Sequence, residues 1–262
     1  RSALKVIAGS TNMPGAARLC TAAAARAGAG LVSLTAPGAS IEVDAEIVQR
    51  HVDDIDVDEV ARVSLADIHR FSALAVGPGL GRDDAVLMSV RRCITEATVP
   101  VVVDGDGLFA SAWSAEGAGP LLRARELATV LTPHDGEFGV LTGARPGPDR
   151  VASVRAAATD LDCTVWLKGP TPIVASPPEQ GIGVFDGRVL HVANGDERLA
   201  TAGTGDVLTG VIGAGLAAGM APERAAAAGA WLHAEAANRC HRAGMLAGDI
   251  IRALPDLIDS LR

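Results

Sequence analysis

The residues best suited to chemistry lie in a glycine-rich turn that leads into an apolar, helical stretch. Gly203, Thr204 and Gly205 precede Asp206, and small apolar residues follow. Glycines allow a tight turn whose backbone amides lie open at a helix N-terminus, which suits a phosphate group. The Asp206 carboxylate would then be placed to deprotonate a substrate hydroxyl beside that phosphate. An ordinary loop with an acidic residue in the first helical turn fits equally well, so both interpretations stay open at this point.

Four further loops carry unusual residues at the ends of short apolar runs. They are residues 77–82, 104–108, 132–138 and 168–171. Ligands of open parallel sheets bind beyond the carboxyl ends of the strands. We therefore expect these loops to meet the glycine-rich turn at one edge of a sheet.

Each of these loops also has a purely structural interpretation. Asp104 and Asp106 either cap a turn or helix or bind a ligand or metal, and no residue is assigned as a metal ligand. Thr132 precedes a proline and is expected to be an N-cap, which would leave His134 free to point into the cleft. Lys168 is either a snorkelling side chain at a strand end or a cation for a nucleotide phosphate.

The composition is that of an ordinary globular protein, and it argues against some classes of binding partner. The 262 residues are 48% hydrophobic and 21% charged, with 23 basic and 31 acidic residues and no basic cluster. This balance argues against nucleic acid or an anionic membrane as the main partner. The longest apolar stretch, residues 207–220, is too short and too rich in glycine to cross a membrane. Four scattered cysteines fit a reducing cytosol, so we expect a cytoplasmic protein.

Short β-branched runs alternate with alanine-rich stretches, which predicts an α/β fold on a mostly parallel sheet. Strands are predicted at residues 4–8, 31–35, 73–76, 99–103, 129–131, 164–167 and 172–175, and helices at 14–27, 84–95, 151–160, 207–218 and 222–242. A hairpin with an Asp-Gly turn is predicted at 185–189, a surface loop at 176–181 and a solvated connection at 52–59. No linker divides the chain, so we expect a single domain over residues 1–262.

Taken together and in this order, the motifs resemble the ribokinase-like NAD(P)H-hydrate dehydratase family. The Gly-Thr-Gly-Asp turn alone would indicate only the wider kinase-like superfamily. The narrower resemblance rests on Leu-Thr-Pro-His-Asp-Gly-Glu at 131–137 and on Gly-Pro-Gly-Leu-Gly at 77–81. Further matching segments lie at residues 7–17, 27–32, 103–108, 167–169 and 201–210, so the resemblance spans nearly the whole chain.

The resemblance implies a three-layer α/β/α ribokinase-like fold and a repair reaction. The substrates would be NADHX and NADPHX, the hydrated forms of NADH and NADPH. The ring hydroxyl of the (S) form would be phosphorylated and phosphate eliminated, which restores the cofactor. The phosphoryl donor would be ADP, which bacterial members typically use, or ATP. Mg²⁺ is expected with the nucleotide because its phosphates need a hard cation, and the resemblance also suggests a homotetramer.

The resemblance assigns roles to individual residues. Asp206 would be the catalytic base and would also contact the substrate. The expected nucleotide-binding residues are Lys168, Gly169, Pro170, Thr171, Pro172, Gly203, Thr204 and Gly205. The pocket for the hydrated dinucleotide would be lined by Ala16, Gly79, Gly81 and His134.

Two departures from the family pattern keep alternatives open. The Lys-Gly motif continues as Pro170-Thr171-Pro172, which removes two backbone donors, and a small loop of the family is replaced by residues 195–198, Gly-Asp-Glu-Arg. The epimerase domain fused to many bacterial members has no counterpart here, which leaves open that the sequence is part of a longer protein. The alternatives are a ribokinase-like kinase of a small alcohol, such as a vitamin precursor, and a catalytically silent nucleotide-binding protein.

Overall fold

A nine-stranded sheet forms the centre of the computed structural model, which describes residues 2–52, 57–178 and 188–262. Its strands are β1 (Ala3–Ile7), β2 (Leu31–Pro37), β3 (Val48–Val52), β4 (Ala73–Val76), β5 (Val101–Val103), β6 (Thr129–Leu131), β7 (Thr164–Leu167), β8 (Ile173–Ala175) and β9 (Val189–His191). Their order is β3-β2-β1-β4-β5-β6-β7-β8-β9. Pairing is parallel from β3 to β7, and β8 and β9 pair antiparallel at one edge.

Helices cover both faces of the sheet. They are α1 (Pro14–Arg26), α2 (Val57–Leu65), α3 (Asp84–Glu96), α4 (Asp106–Ser111), α5 (Gly119–Arg123), α6 (Asp135–Thr142), α7 (Arg150–Leu161), α8 (Thr204–Ala217), α9 (Pro222–Asn238) and α10 (Ala247–Asp259). Helices α2 to α7 share one apolar core with the sheet. Helices α1, α8 and α9 share the other, and α10 packs outside them. The predicted three-layer α/β/α architecture is therefore confirmed. None of the helices in the described part of the chain is long and apolar enough for a membrane span.

The strands are apolar on both faces because both faces are covered. In β1, Leu4 and Val6 belong to the core beside α8, whereas Ala3 and Ile7 belong to the core on the opposite face. Such strands show no clean alternation of polar and apolar residues. The same property made them recognisable as short continuous apolar runs in the sequence.

The seven predicted strands and five predicted helices are all present. Strands β4, β6 and β7 have the predicted ends, and the other elements have at least one shifted end. Helix α8 begins three residues earlier than predicted, and α9 ends at Asn238 rather than at residue 242. The solvated connection predicted at 52–59 is wrong in part, because β3 ends at residue 52 and α2 begins at residue 57. The turn of the predicted hairpin and the end of the predicted loop at 176–181 lie outside the described residues.

Glycines let α8 approach its neighbours closely. A β-carbon at Gly210 would lie 2.2 Å from the carbonyl oxygen of Cys20 in α1. At Gly213 it would lie 2.9 Å from the Leu4 side chain in the sheet. The first distance excludes any residue but glycine because it involves backbone, whereas the second would require the Leu4 side chain to move. These contacts fix the position of α8, and with it the turn that precedes the helix.

Candidate active site

A carboxylate at the end of β5 organises the edge of the sheet where the strand ends meet α8. Asp104 is 3% exposed. Its Oδ1 accepts hydrogen bonds from the Thr132 hydroxyl, at 2.7 Å, and from the Lys168 ammonium group. Its Oδ2 accepts a hydrogen bond from the Thr209 hydroxyl at 2.8 Å. The charge is thus held by donors from three separate elements, as a buried carboxylate requires.

His134 takes the capping role that the sequence predicts for Thr132. The prediction that Thr132 caps the next helix is wrong, because its hydroxyl points to Asp104. The N-cap of α6 is His134, whose Nδ1 accepts hydrogen bonds from the amides of Gly136, at 2.9 Å, and Glu137, at 3.1 Å. The side chain is 59% exposed and lines the cavities described below, so that it caps the helix through Nδ1 and still faces the cleft.

Asp106 ties the glycine-rich loop after β4 to α4. Its Oδ2 accepts a hydrogen bond from the Gly81 amide, and its Oδ1 accepts one from Arg82 Nε, both at 2.8 Å. Neither Asp104 nor Asp106 caps a helix as one interpretation expected, because Gly105 is the N-cap of α4 and makes no side-chain cap. Both carboxylates instead hold neighbouring loops in place.

The same loop needs glycine at two positions for different reasons. Gly77 has φ of +123°, and a β-carbon there would lie 1.8 Å from the Asp104 carbonyl oxygen. Gly79 has φ of +62°, and its β-carbon would lie 2.6 Å from Cβ of Ala16 in α1. The loop is therefore wedged between the start of α1 and the end of β5.

The turn before α8 presents unpaired backbone amides. Gly203 is the N-cap with φ of +87° and offers no side chain for capping. Within the described residues, the amides of Gly205 and Asp206 have no acceptor. The Thr204 hydroxyl donates to the carbonyl oxygens of Leu199, at 2.7 Å, and Thr201, at 2.9 Å. The side chain of Thr204 thus stabilises the turn itself, and the open amides are left for an anion.

Asp206 lies in an environment that disfavours its charged form. Burial raises its pKa to about 7, and the carboxylates of Asp104 and Asp106 act in the same direction, while Lys168 opposes them. Within the described residues, the Asp206 carboxyl group has no hydrogen-bond partner. A carboxyl group that titrates near neutrality and is not committed to another group can accept a proton.

A cavity of about 840 Å³ opens beside this turn. Its lining combines polar residues, among them Lys168 and Thr204, with apolar residues such as Trp166 and Leu208. This size and this mixed lining suit a ligand with a charged part and a planar apolar part.

Most of the predicted nucleotide-binding residues meet at this cavity. It is lined by Lys168, Gly169, Pro170, Pro172, Thr204, Gly205 and also by His134. A second cavity of about 390 Å³ adjoins the first. The two cavities share His134, Lys168, Gly169 and Pro170, and Arg145 lines only the second. The other predicted site residues lie outside the walls of both cavities: Thr171, Gly203, Asp206, Ala16, Gly79 and Gly81. Asp206 directly follows Gly205, which lines the larger one.

Residues that the sequence reading missed complete the site. The Thr209 hydroxyl donates to Asp104, and Trp166 lines the larger cavity. His233 in α9 is 5% exposed and lines the same cavity, and burial lowers its pKa to about 4, which keeps the ring neutral. The sequence contained one indication of this position: the spacing of His233 from Ala230 and Ala234 places all three residues on one face of the helix.

Open amides at a helix start and an ionisable carboxyl group beside them are typical of enzymes that transfer phosphoryl groups to hydroxyls. Comparison with known proteins identifies a family within that broad class of enzymes. The family model for NAD(P)H-hydrate dehydratase matches residues 4–256, and the chain belongs to this family.

Two curated relatives illustrate the match. The chain is 42% identical over 222 residues to a bifunctional NAD(P)H-hydrate repair enzyme of Mycobacterium tuberculosis, covering 85% of this chain and 42% of that protein. It is 38% identical over 264 residues to an ADP-dependent (S)-NAD(P)H-hydrate dehydratase of Neisseria meningitidis, covering 95% of this chain and 82% of that protein. The chain thus spans less than half the length of the bifunctional relative.

Solved structures confirm the ribokinase-like fold. An ADP/ATP-dependent NAD(P)H-hydrate dehydratase from Bacillus subtilis, co-crystallised with ATP and Mg²⁺, is 27% identical with a TM-score of 0.79, covering 99% of this chain and 90% of that one. A ribokinase-like superfamily protein from Enterococcus faecalis is 21% identical with a TM-score of 0.75, covering 98% of this chain and 87% of that one. The second likeness shows the fold alone.

Proposed function

We propose that this chain, as one ribokinase-like domain, dehydrates the (S) forms of hydrated NADH and NADPH with ADP as phosphoryl donor. The observation that carries the proposal is the uncommitted Asp206 carboxyl group, with a pKa raised to about 7, beside open amides and a cavity of nucleotide size. Family membership and the relative in Neisseria meningitidis, which is named as ADP-dependent, support the choice of substrate and donor.

In the proposed reaction, the oxygen of the ring hydroxyl attacks the terminal phosphorus of the nucleotide while Asp206 accepts the hydroxyl proton. The new P–O bond forms while the bond to the leaving nucleotide breaks, so ADP becomes AMP. The lone pair of the ring nitrogen then expels phosphate, and loss of a proton from the neighbouring ring carbon restores the double bond. Phosphate is a far better leaving group than hydroxide, which is why a nucleotide is consumed.

The nucleotide would be held in the larger cavity. The turn formed by Gly203, Thr204 and Gly205 would face its phosphates; the Gly205 amide is free to donate, whereas the Thr204 amide donates to the Thr201 carbonyl oxygen at 3.3 Å. Lys168 would add a positive charge, because Asp104 fixes its ammonium group close to Gly205. Gly169, Pro170 and Pro172 line the wall, and Thr171 is proposed as a contact from beside it.

Mg²⁺ is proposed to arrive with the nucleotide and to neutralise charge on its phosphates. The side chains at the site fit an ion held mainly by the phosphates better than an ion held by protein ligands alone. The oxygens of Asp104 and Asp106 already accept hydrogen bonds, and the described residues contain no group of three His, Cys, Asp or Glu side chains suited to a metal. Asp206 is the carboxyl group left to face such an ion, as is common where phosphates supply most ligands.

The hydrated dinucleotide is proposed to bind on the side of Asp206 formed by the glycine-rich loop and α1. Gly79 packs on Ala16, and Gly81 is held by Asp106, so this side is rigid before any ligand binds. His134 would contact the substrate from the helix end that it caps.

Assembly and location are proposed on separate grounds. We propose a homotetramer, which light scattering after size-exclusion chromatography tests directly.

A cytoplasmic location is supported by four free cysteines, of which three are buried. A partner that epimerises the same substrate is proposed because a relative is a bifunctional repair enzyme of about twice the length.

The first experiment mixes the protein with NADHX, Mg²⁺ and either ADP or ATP and follows the absorbance band of reduced nicotinamide. We expect a rise that requires nucleotide and is faster with ADP. Phosphorylation of a small alcohol without that rise would indicate a kinase instead. Nucleotide binding without either reaction would indicate a silent binding protein.

A further inference from the structure

One arginine ties the loop before the catalytic turn to the far end of α9. Arg198 lies in the 3-10 helix Glu197–Ala200, and its side chain is 13% exposed. Its Nη1 donates to the carbonyl oxygens of Cys240, at 3.3 Å, and His241, at 3.4 Å. These carbonyls lie just beyond the C-terminus of α9, where the helix dipole favours a cation.

The same guanidinium holds Asp196 on its other side. Arg198 Nε and Nη2 donate to both oxygens of the Asp196 carboxylate at 2.7 to 3.0 Å. Asp196 also accepts a hydrogen bond from the Arg198 amide at 3.0 Å and so caps the 3-10 helix. Asn238 of α9 adds a second link, because its Nδ2 donates to the Asn194 carbonyl oxygen at 2.7 Å. Asn194 Nδ2 also donates to the Trp231 carbonyl oxygen, and Arg198 Nη2 to Asn238 Oδ1, both at 3.2 Å. The segment 194–198 is therefore attached to α9 through both Asn194 and Arg198.

This segment forms one wall of the larger cavity and leads directly to the phosphate-binding turn. Asp196, Glu197 and Leu199 line the cavity. The carbonyl oxygen of Leu199 accepts the hydrogen bond of the Thr204 hydroxyl. A continuous set of contacts thus runs from the end of α9 through Arg198 to the start of α8.

We propose that Arg198 is a positioning residue that holds this cavity wall in its ligand-ready conformation before the nucleotide binds. The inference rests on the proposed function for the identity of the nucleotide. Without Arg198 the wall becomes ordered only on binding, and the lost conformational entropy weakens the affinity. Fixing one backbone residue corresponds to about a tenfold change in Kd.

The test compares Arg198→Ala, Arg198→Lys and a control, Arg62→Ala. Arg62 is an exposed partner of Glu59 on α2, which packs near β3 at the opposite edge of the sheet. Calorimetry with ADP gives Kd, and the dehydration assay gives KM and kcat. We expect Arg198→Ala to raise the Kd and KM of ADP about tenfold, with kcat and the KM of the hydrated dinucleotide unchanged. The Kd of ADP for Arg198→Lys should lie between those of the wild type and Arg198→Ala, because an ammonium group keeps the charge but cannot form the paired contact with Asp196.

A folded Arg198→Ala variant that binds ADP as the wild type does would overturn the inference. So would a fall in kcat at an unchanged KM for ADP. If Arg198→Ala fails to fold, a wild-type Kd in Arg198→Lys overturns it equally. Because calorimetry needs no turnover, a wild type that binds ADP without dehydrating NADHX contradicts the proposed function alone.

Discussion

At the scale of single residues, Asp206 is defined by what surrounds it rather than by its position after a glycine turn. Removing its charge while keeping its size isolates the proton transfer. We expect Asp206→Asn to lower turnover by about 10²- to 10⁴-fold and to leave the Kd for ADP, measured without Mg²⁺, nearly unchanged. Stopped-flow absorbance and calorimetry measure the two quantities. Near-wild-type turnover would remove Asp206 from the role of base.

The same variant has a predicted effect on stability with a definite sign. The pKa of Asp206 is about 7 in the folded chain against an ordinary 3.8, so the folded state binds the proton more tightly than the unfolded state. The free energy of unfolding of the wild type therefore falls as pH rises from about 4 to about 7. Asp206→Asn removes this loss and should be more stable than the wild type above about pH 7, with the difference shrinking toward pH 4. Urea unfolding across this range is the measurement.

Asp104 is expected to set the pH dependence of the reaction. Its negative charge raises the pKa of Asp206, and its loss would also free Lys168 to pair with Asp206. Both effects lower that pKa, so Asp104→Asn should shift the rising limb of the rate profile to lower pH, on the order of one unit. Asp106→Asn should shift it less, since Asp106 contributes less to the raised pKa. An unshifted profile in both variants would contradict this account.

His134 combines a capping role, which the structure shows, with a proposed substrate contact. His134→Ala should lose about 0.5–2 kcal/mol of stability through the lost cap and raise the KM for NADHX. Asn is a good N-cap, so His134→Asn should restore the stability but not the KM. Thermal unfolding and steady-state kinetics on the same pair of variants separate the two roles. Recovery of both quantities in His134→Asn would leave capping as the whole role of His134.

At the scale of elements, close packing of α8 on α1 sets where the glycine-rich turn before α8 lies. Gly210→Ala places a methyl group 2.2 Å from the Cys20 carbonyl oxygen, so we expect a loss of about 1–3 kcal/mol together with lower activity. Gly215→Ala on the same helix is the control, because its nearest neighbour is the flexible Met220 side chain at 3.3 Å. It should be neutral or stabilising by up to about 1 kcal/mol, since alanine favours the helix. Equal effects from both would contradict a role for this contact.

The sequence predicted elements wherever the local pattern was strong and failed where distant contacts decide. Helix α10 was not predicted. A proline inside a segment, here Pro255, disfavours a helix locally, yet the helix continues through it and buries residues such as Leu254 and Leu257. Thr132 fits an N-cap locally, but parallel pairing of β5 and β6 brings its hydroxyl to Asp104. Thr209 lies 105 positions from Asp104, and no local pattern reports such a contact. Motif resemblance located Asp206 and Lys168, whereas their electrostatic partners needed the structure.

At the scale of the whole molecule, the proposed function predicts selection between substrate epimers, because one proposed base lies beside one proposed phosphate-binding turn. The hydroxyl of only one epimer can face both Asp206 and the phosphoryl donor, because the base and the turn are held on the same side by α8. We expect these 262 residues, assayed alone on mixed NADHX epimers with ADP, to stop at the fraction that is the (S) form. Chiral chromatography of the remainder should show the other epimer, and an added epimerase should carry the reaction to completion. Complete conversion at a single rate without epimerase would mean that the ring binds in two orientations, which a base fixed by α8 does not allow.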